Sequence, residues 1–164
     1  MRGAVNDKLR LMGNVKLYEL PPDFTFEDFK KSNKPDYLVE EGDNLVVDIG
    51  LQQIALLIIG SNTNSFTHCG VGSDSTLPAA GDLDLVTEIG RNTINDRYRV
   101  GLTAHFDTFF GKSDQAGSWN ETCLAQSASG NDILCRRVFD AAFTKSTSNS
   151  AVIAWTITFA AVVE

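Results

Sequence analysis

An antiparallel β-sandwich or jelly-roll-like domain with one short helix and an extended N-terminal arm is the fold this sequence predicts. Three observations predict it. Across 97–110, Tyr98, Val100, Leu102, Ala104 and Phe106 alternate with Arg97, Arg99, Gly101, Thr103 and His105, the period of a strand with one face in a core. The run 151–163 repeats the pattern with Ile153, Trp155, Ile157 and Phe159 on one face. Finally, 119–128 and 133–143 read as strands flanking Ser129-Gly130-Asn131-Asp132, a hairpin signal. Each large side chain on the two long strands contributes about 1.5–3 kcal/mol if fully buried, so together they can anchor a domain.

Taken in order, the chain begins with a locally basic stretch, Arg2, Lys8 and Arg10, that lacks the apolar centre of a signal peptide. Residues 14–20 alternate as a first strand, which Pro21 and Pro22 stop because neither can donate to a ladder. From 23 to 43, Phe24, Phe26, Phe29 and Tyr37 sit among charges in a long loop with a short helical turn near 26–31. So aromatic a loop suggests an arm, residues 1–42, docking on a neighbouring subunit, with 43–164 as the sandwich. On that expectation, deleting 1–42 leaves the β domain folded but abolishes assembly.

Residues 44–60 carry the main helix. Leu51, Ile54, Ala55 and Ile58 form its apolar face, Asp48 lies near the N-cap, and Gly60 suits the position after the C-cap. A short strand at 66–73 follows, then a polar loop at 73–82 and an extended segment at 83–91. Polar turns at 111–117 and 144–150 separate the remaining strands.

Charge and chemistry narrow the function. With 14 basic against 21 acidic residues, a net charge of -7 argues against nucleic acid and anionic membranes as partners. No apolar run approaches the roughly 20 residues that span a bilayer, so a soluble product made in a cytoplasm is expected. Cys69, Cys123 and Cys135 are an odd number without a C-x-x-C, which favours free buried thiols, although Cys123 and Cys135 could face each other across a hairpin.

Gly70-x-Gly72 precedes no helix and reads as a turn. Asp74, Asp82 and Asp84 could converge on calcium but read better as solvated loop acids, while His68 and His105 lie too far apart for a zinc site. His105 shares the predicted strand face with Arg97 and Arg99, which together read as a polar or interface surface. Glu121 beside Trp119 is the most interesting acid, but no G-x-S-x-G or paired base accompanies it. No enzyme activity, metal or cofactor is expected. Asn120-Glu121-Thr122 matches a glycosylation sequon, meaningful only after secretion.

The order of several segments is more specific than any one of them. Asn44-Leu45-Val46-Val47-Asp48 precedes the helix, and Thr67-His68-Cys69-Gly70-Val71-Gly72 and 84–91 (DLVTEIGR) follow it. After 97–110 come Gly117-Ser118-Trp119-Asn120-Glu121, Leu134-Cys135-Arg136-Arg137-Val138-Phe139 and Trp155-Thr156-Ile157-Thr158-Phe159. This set resembles a family of small β-rich virion structural proteins of tailed bacteriophages, found as capsid decoration, collar or tail-associated components. It departs from them in carrying Cys69 and Cys123 at small-residue positions.

The resemblance implies a non-enzymatic structural protein of a virion, a capsid decoration subunit ahead of a collar, tail or baseplate position. It also implies contacts with other virion proteins and a homo-oligomeric state. Phe24, Phe26, Phe29, Tyr37, Arg97, Arg99 and His105 are the expected interface residues. A competing reading is host-glycan recognition by the loops 73–82 and 111–118 with Trp119 as a stacking platform.

Overall fold

The structure, a computed structural model, describes residues 7–163, and side chains within 9–161. The basic stretch read at the N-terminus falls partly on residues 1–6, outside that range. In chain order the elements are β1 (Asp7–Leu20), α1 (Phe26–Lys31), a 3-10 turn (Lys34–Tyr37), β2 (Leu38–Asp43), β3 (Leu45–Val46), α2 (Asp48–Ile58), β4 (His68–Gly72), β5 (Glu88–Thr93), β6 (Asp96–Val100), β7 (Thr103–Phe110), β8 (Gly117–Ala125), β9 (Ile133–Lys145) and β10 (Ser150–Val163). They form two antiparallel five-stranded sheets, β2-β1-β10-β7-β6 and β3-β9-β8-β4-β5, packed as a sandwich. The former is the first sheet and the latter the second.

The core lies where the inner faces meet. Val15, Leu17, Ile153 and Trp155 of the first sheet face Cys69, Trp119, Leu124 and Cys135 of the second, all at 1% exposure or less. Trp119 is a core residue, edge-on to Phe110 at 4.9 Å. The hairpin read from Ser129-Gly130-Asn131-Asp132 is present as β8–β9. All three thiols are free and buried. Their register separates two of them: Cys123 lies opposite Arg136 and Cys135 opposite Leu124, so they point to opposite faces and cannot bond. Burial pushes the Cys69 thiol up to about 11.

Three expectations are corrected. The long strand 97–110 is a hairpin, β6–β7, turned at Gly101-Leu102. Glycine at the first central position with φ +57° is the signature of a two-residue hairpin turn that matches strand twist. The helix α2 is present, Gly60 follows its C-cap, Ile59, and Asp48 stands in the first turn next to the N-cap residue, Val47. Its buried face is rotated: Gly50 is the buried residue, Ile54 and Leu57 pack on the core, and Leu51 and Ile58 are exposed. A Cβ on Gly50 would stand 2.2 Å from the Leu134 carbonyl oxygen, so the close helix–strand approach at a glycine sets the rotation.

Nor are the described residues of 1–42 an arm: β1 pairs with β10 from Asp7↔Val163 to Leu20↔Ser150 and with β2 on its other side. The boundary expected at 42/43 therefore falls at the end of a strand of the first sheet.

Candidate functional site

The Phe-rich segment lies against its own domain. Thr25 and Asp28 form a reciprocal capping box that starts α1, with Asp28 N–H donating to Thr25 Oγ1 at 3.2 Å and Thr25 N–H to Asp28 Oδ2 at 2.9 Å. The helix lays Phe29, 1% exposed, on Tyr18, Leu20 and Val152 of the outer face of the first sheet. The Phe29 and Tyr18 rings meet edge to face at 5.0 Å, and Phe24 and Tyr37 rings lie 5.5 Å apart beside them. The reason is visible in β1 and β10, whose alternate residues Tyr18, Leu20 and Val152 make the outer face apolar as well. That face needs a cover, and the chain itself supplies it. Of the expected interface residues, Phe29 is thus buried within the chain and Phe24, Phe26 and Tyr37 are half-buried.

The β6–β7 turn also splits the polar trio. A two-residue turn reverses which residues share a face, so Tyr98 pairs with His105 and Asp96 with Asp107, while Arg97 and Arg99 pair with Phe106 and Ala104 on the other side. His105 does not share a face with the two arginines. Arg97 donates to Ser65 Oγ at 2.7 Å and to the Phe66 carbonyl at 3.3 Å, and Arg99 to the Gly101 carbonyl at 2.6 Å. On the outer face, the Tyr98 and His105 rings stack at 4.6 Å with planes 3° apart.

Next to them Asp107 is 7% exposed, directly opposite Asp96. Burial raises its carboxyl above the usual range and Asp96 adds to the rise, while Lys34 and His105 oppose it. Because the folded value lies above the unfolded one, stability is greatest when both states are protonated and is lost as pH rises through the folded value. Asp107→Asn should therefore raise the melting temperature at neutral pH. Relief of a like-charged cross-strand pair is worth about 0.2–1 kcal/mol, and the gain should vanish in melts at pH values below the carboxylate range.

The acids weighed for catalysis or calcium are structural clamps. Glu121, fully buried, takes Arg136 on Oε2 at 2.7–2.8 Å, with Val86 N–H at 3.1 Å on the same oxygen and Thr87 N–H at 2.9 Å on Oε1. Arg136 reaches on to Asp82 at 2.9 Å and the Thr76 carbonyl at 2.8 Å. Arg91 gathers Asp84, Glu88 and Asp132 within 3.0 Å. Thr76 lowers the Asp74 carboxyl through its hydroxyl and, secondly, through its N–H, which donates to Asp74 Oδ1 at 2.7 Å. The three loop aspartates are thus divided among separate partners. Among the described residues, no group of three His, Cys, Asp or Glu could hold a metal ion. Trp119, with 0% exposure, cannot serve as a stacking platform.

One surface escaped the sequence reading. β1 and β10 run on past the core, and their inner-face residues grow exposed: Leu11 and Phe159 are half-buried and Leu9 is 66% exposed. Leu102, 68% exposed, joins them through its carbonyl, which accepts from Phe159 N–H at 3.0 Å. Leu102, Ala104, Phe159, Gly101 and the Arg99 stem line a groove of about 250 Å³ there. The only sequence signal was that the apolar alternation of 151–163 outlasts the shorter apolar stretches of the opposing sheet. No helix among the described residues is long and apolar enough to cross a membrane. No family model, curated protein or solved structure matches the chain.

Proposed function

We propose that this chain is a non-enzymatic structural subunit of a tailed-phage particle, a capsid decoration protein ahead of a collar, tail or baseplate component. Its contact with a neighbouring virion subunit is the apolar end of the first sheet. The observation that carries the reading is the apolar end of the first sheet, where Leu9 and Leu102, each about two-thirds exposed, flank β10 near the half-buried Phe159. The ordered segments from 44 to 159 that resemble phage virion proteins supply the class of partner. The sandwich, with charged residues clamped inside, supplies a stiff block suited to repeated contacts.

The test is to band particles on a density gradient from a host producing this chain and to quantify its peptides against the major capsid protein. A fixed stoichiometric ratio is expected, and particles free of the chain would overturn the reading. Leu102→Asp places a charge in the patch at an exposed turn. It should leave thermal stability within about 0.5 kcal/mol of the parent while lowering the amount on banded particles at least tenfold, roughly the 1–3 kcal/mol of a lost apolar contact.

A further inference from the structure

We propose that the groove between α1 and the β6–β7 hairpin, on the outer face of the first sheet, binds a single pyranose unit of a neutral glycan. The groove encloses about 160 Å³, a space of sugar-ring size, and Asp107 is among the residues that line it. Asp107 as a residue is 7% exposed, and no side-chain hydrogen bond among the described residues occupies its carboxylate. Tyr98, held flat against His105, and the rings of Tyr18 and Phe29 give the groove apolar walls.

Charge decides among ligand classes. An anion would meet Asp107 with Asp96 directly across the hairpin, and a cation would meet Lys34, while Lys16, which also lines the groove, is paired with Glu41 at 3.5 Å. A hydroxyl group is both donor and acceptor, so vicinal hydroxyls can donate to Asp107 while accepting from Lys34 and Asn14. A pyranose also presents an apolar C–H face that suits aromatic walls. The glycan site therefore lies across the first sheet from the apolar patch proposed for particle contact, not at Trp119, and the two can fail separately.

The experiment follows backbone amide shifts of the full chain while D-glucose, D-galactose, D-mannose and N-acetylglucosamine are added in turn, with choline and sulfate as charged probes at matched ionic strength. Saturable shifts centred on Lys16, Lys34, Tyr98 and Asp107 with at least one sugar are expected. Asp107→Asn should weaken that binding at least about tenfold, with particle incorporation unchanged. Absence of sugar shifts, shifts with choline or sulfate alone, or unchanged affinity in Asp107→Asn would each overturn the proposal. Should Asp107→Asn fail to fold, Lys34→Met is read in the same way.

Discussion

Replacing Arg136 by Met is expected to destabilise the fold by about 3–5 kcal/mol, seen as a lower urea midpoint at unchanged slope. Arg136 is fully buried and holds three partners, Glu121, Asp82 and the Thr76 carbonyl. Removing the guanidinium leaves the Glu121 carboxylate in a dry site with only the Val86 and Thr87 amides to solvate it. An uncompensated buried charge costs far more than the net worth of the pair, because the attraction within the pair largely offsets the desolvation of both ions. The double variant Arg136→Met with Glu121→Gln should accordingly recover most of the loss. A single variant that costs less than about 1 kcal/mol would place this pair with dispensable surface bridges and sink the argument.

The same pair explains how a loop with little to bury is held. Residues 73–82 are mostly Ser, Asp, Ala, Gly and Pro, and among the described large apolar side chains of 73–87 only Leu85 is buried. Asp82 and the Thr76 carbonyl tie the loop to Arg136, and Val86 and Thr87 tie it to Glu121. Hydrogen exchange at the Val86 and Thr87 amides should therefore speed up in Arg136→Met before the β8–β9 amides do, since local opening there needs the fewest apolar contacts broken.

The alternation of Ile153, Trp155 and Ile157 and the turn signal at Gly130 were legible because period 2 and turn chemistry are local properties. They lead directly to β10 and the β8–β9 hairpin. The break at Gly101-Leu102 was hidden because its flanking residues alternate straight through the turn, and a two-residue turn inverts the faces without disturbing the pattern. That single inversion moved His105 away from Arg97 and Arg99 and set Tyr98 and Asp96 beside His105 and Asp107, and with it the composition of the outer groove. The rotation of α2 was equally illegible, since it depends on Leu134 approaching Gly50 from a distant strand. The Phe-rich segment was misplaced for a physical reason: nothing in 23–43 tells that the outer face of a sheet formed with the far end of the chain is apolar and needs covering.

That misplacement reverses the outcome expected on deleting residues 1–42. The fragment 43–164 should show no cooperative thermal transition and should collect in aggregates, where a docking arm would have left a folded domain. The deletion removes Val15, Leu17, Tyr18, Leu20 and Phe29, each 6% exposed or less. At about 1.5–3 kcal/mol per buried large side chain, their loss rivals the roughly 5–15 kcal/mol of stability a whole domain has. It also strips β10 of its partner along the register from Asp7↔Val163 to Leu20↔Ser150, leaving a long apolar edge open to pairing between chains. Arg137 loses Glu40 at the other margin, where the guanidinium joins β9 to β2. A dispersed amide spectrum with a sharp melt for the fragment would show that β1 is dispensable. Leu17→Ala gives the graded version, a loss of about 2–5 kcal/mol in a chain that still folds. Because truncation acts on folding, absence of the truncated chain from particles carries no information about particle contact. Leu102→Asp, which spares the core, is the variant that reports on it.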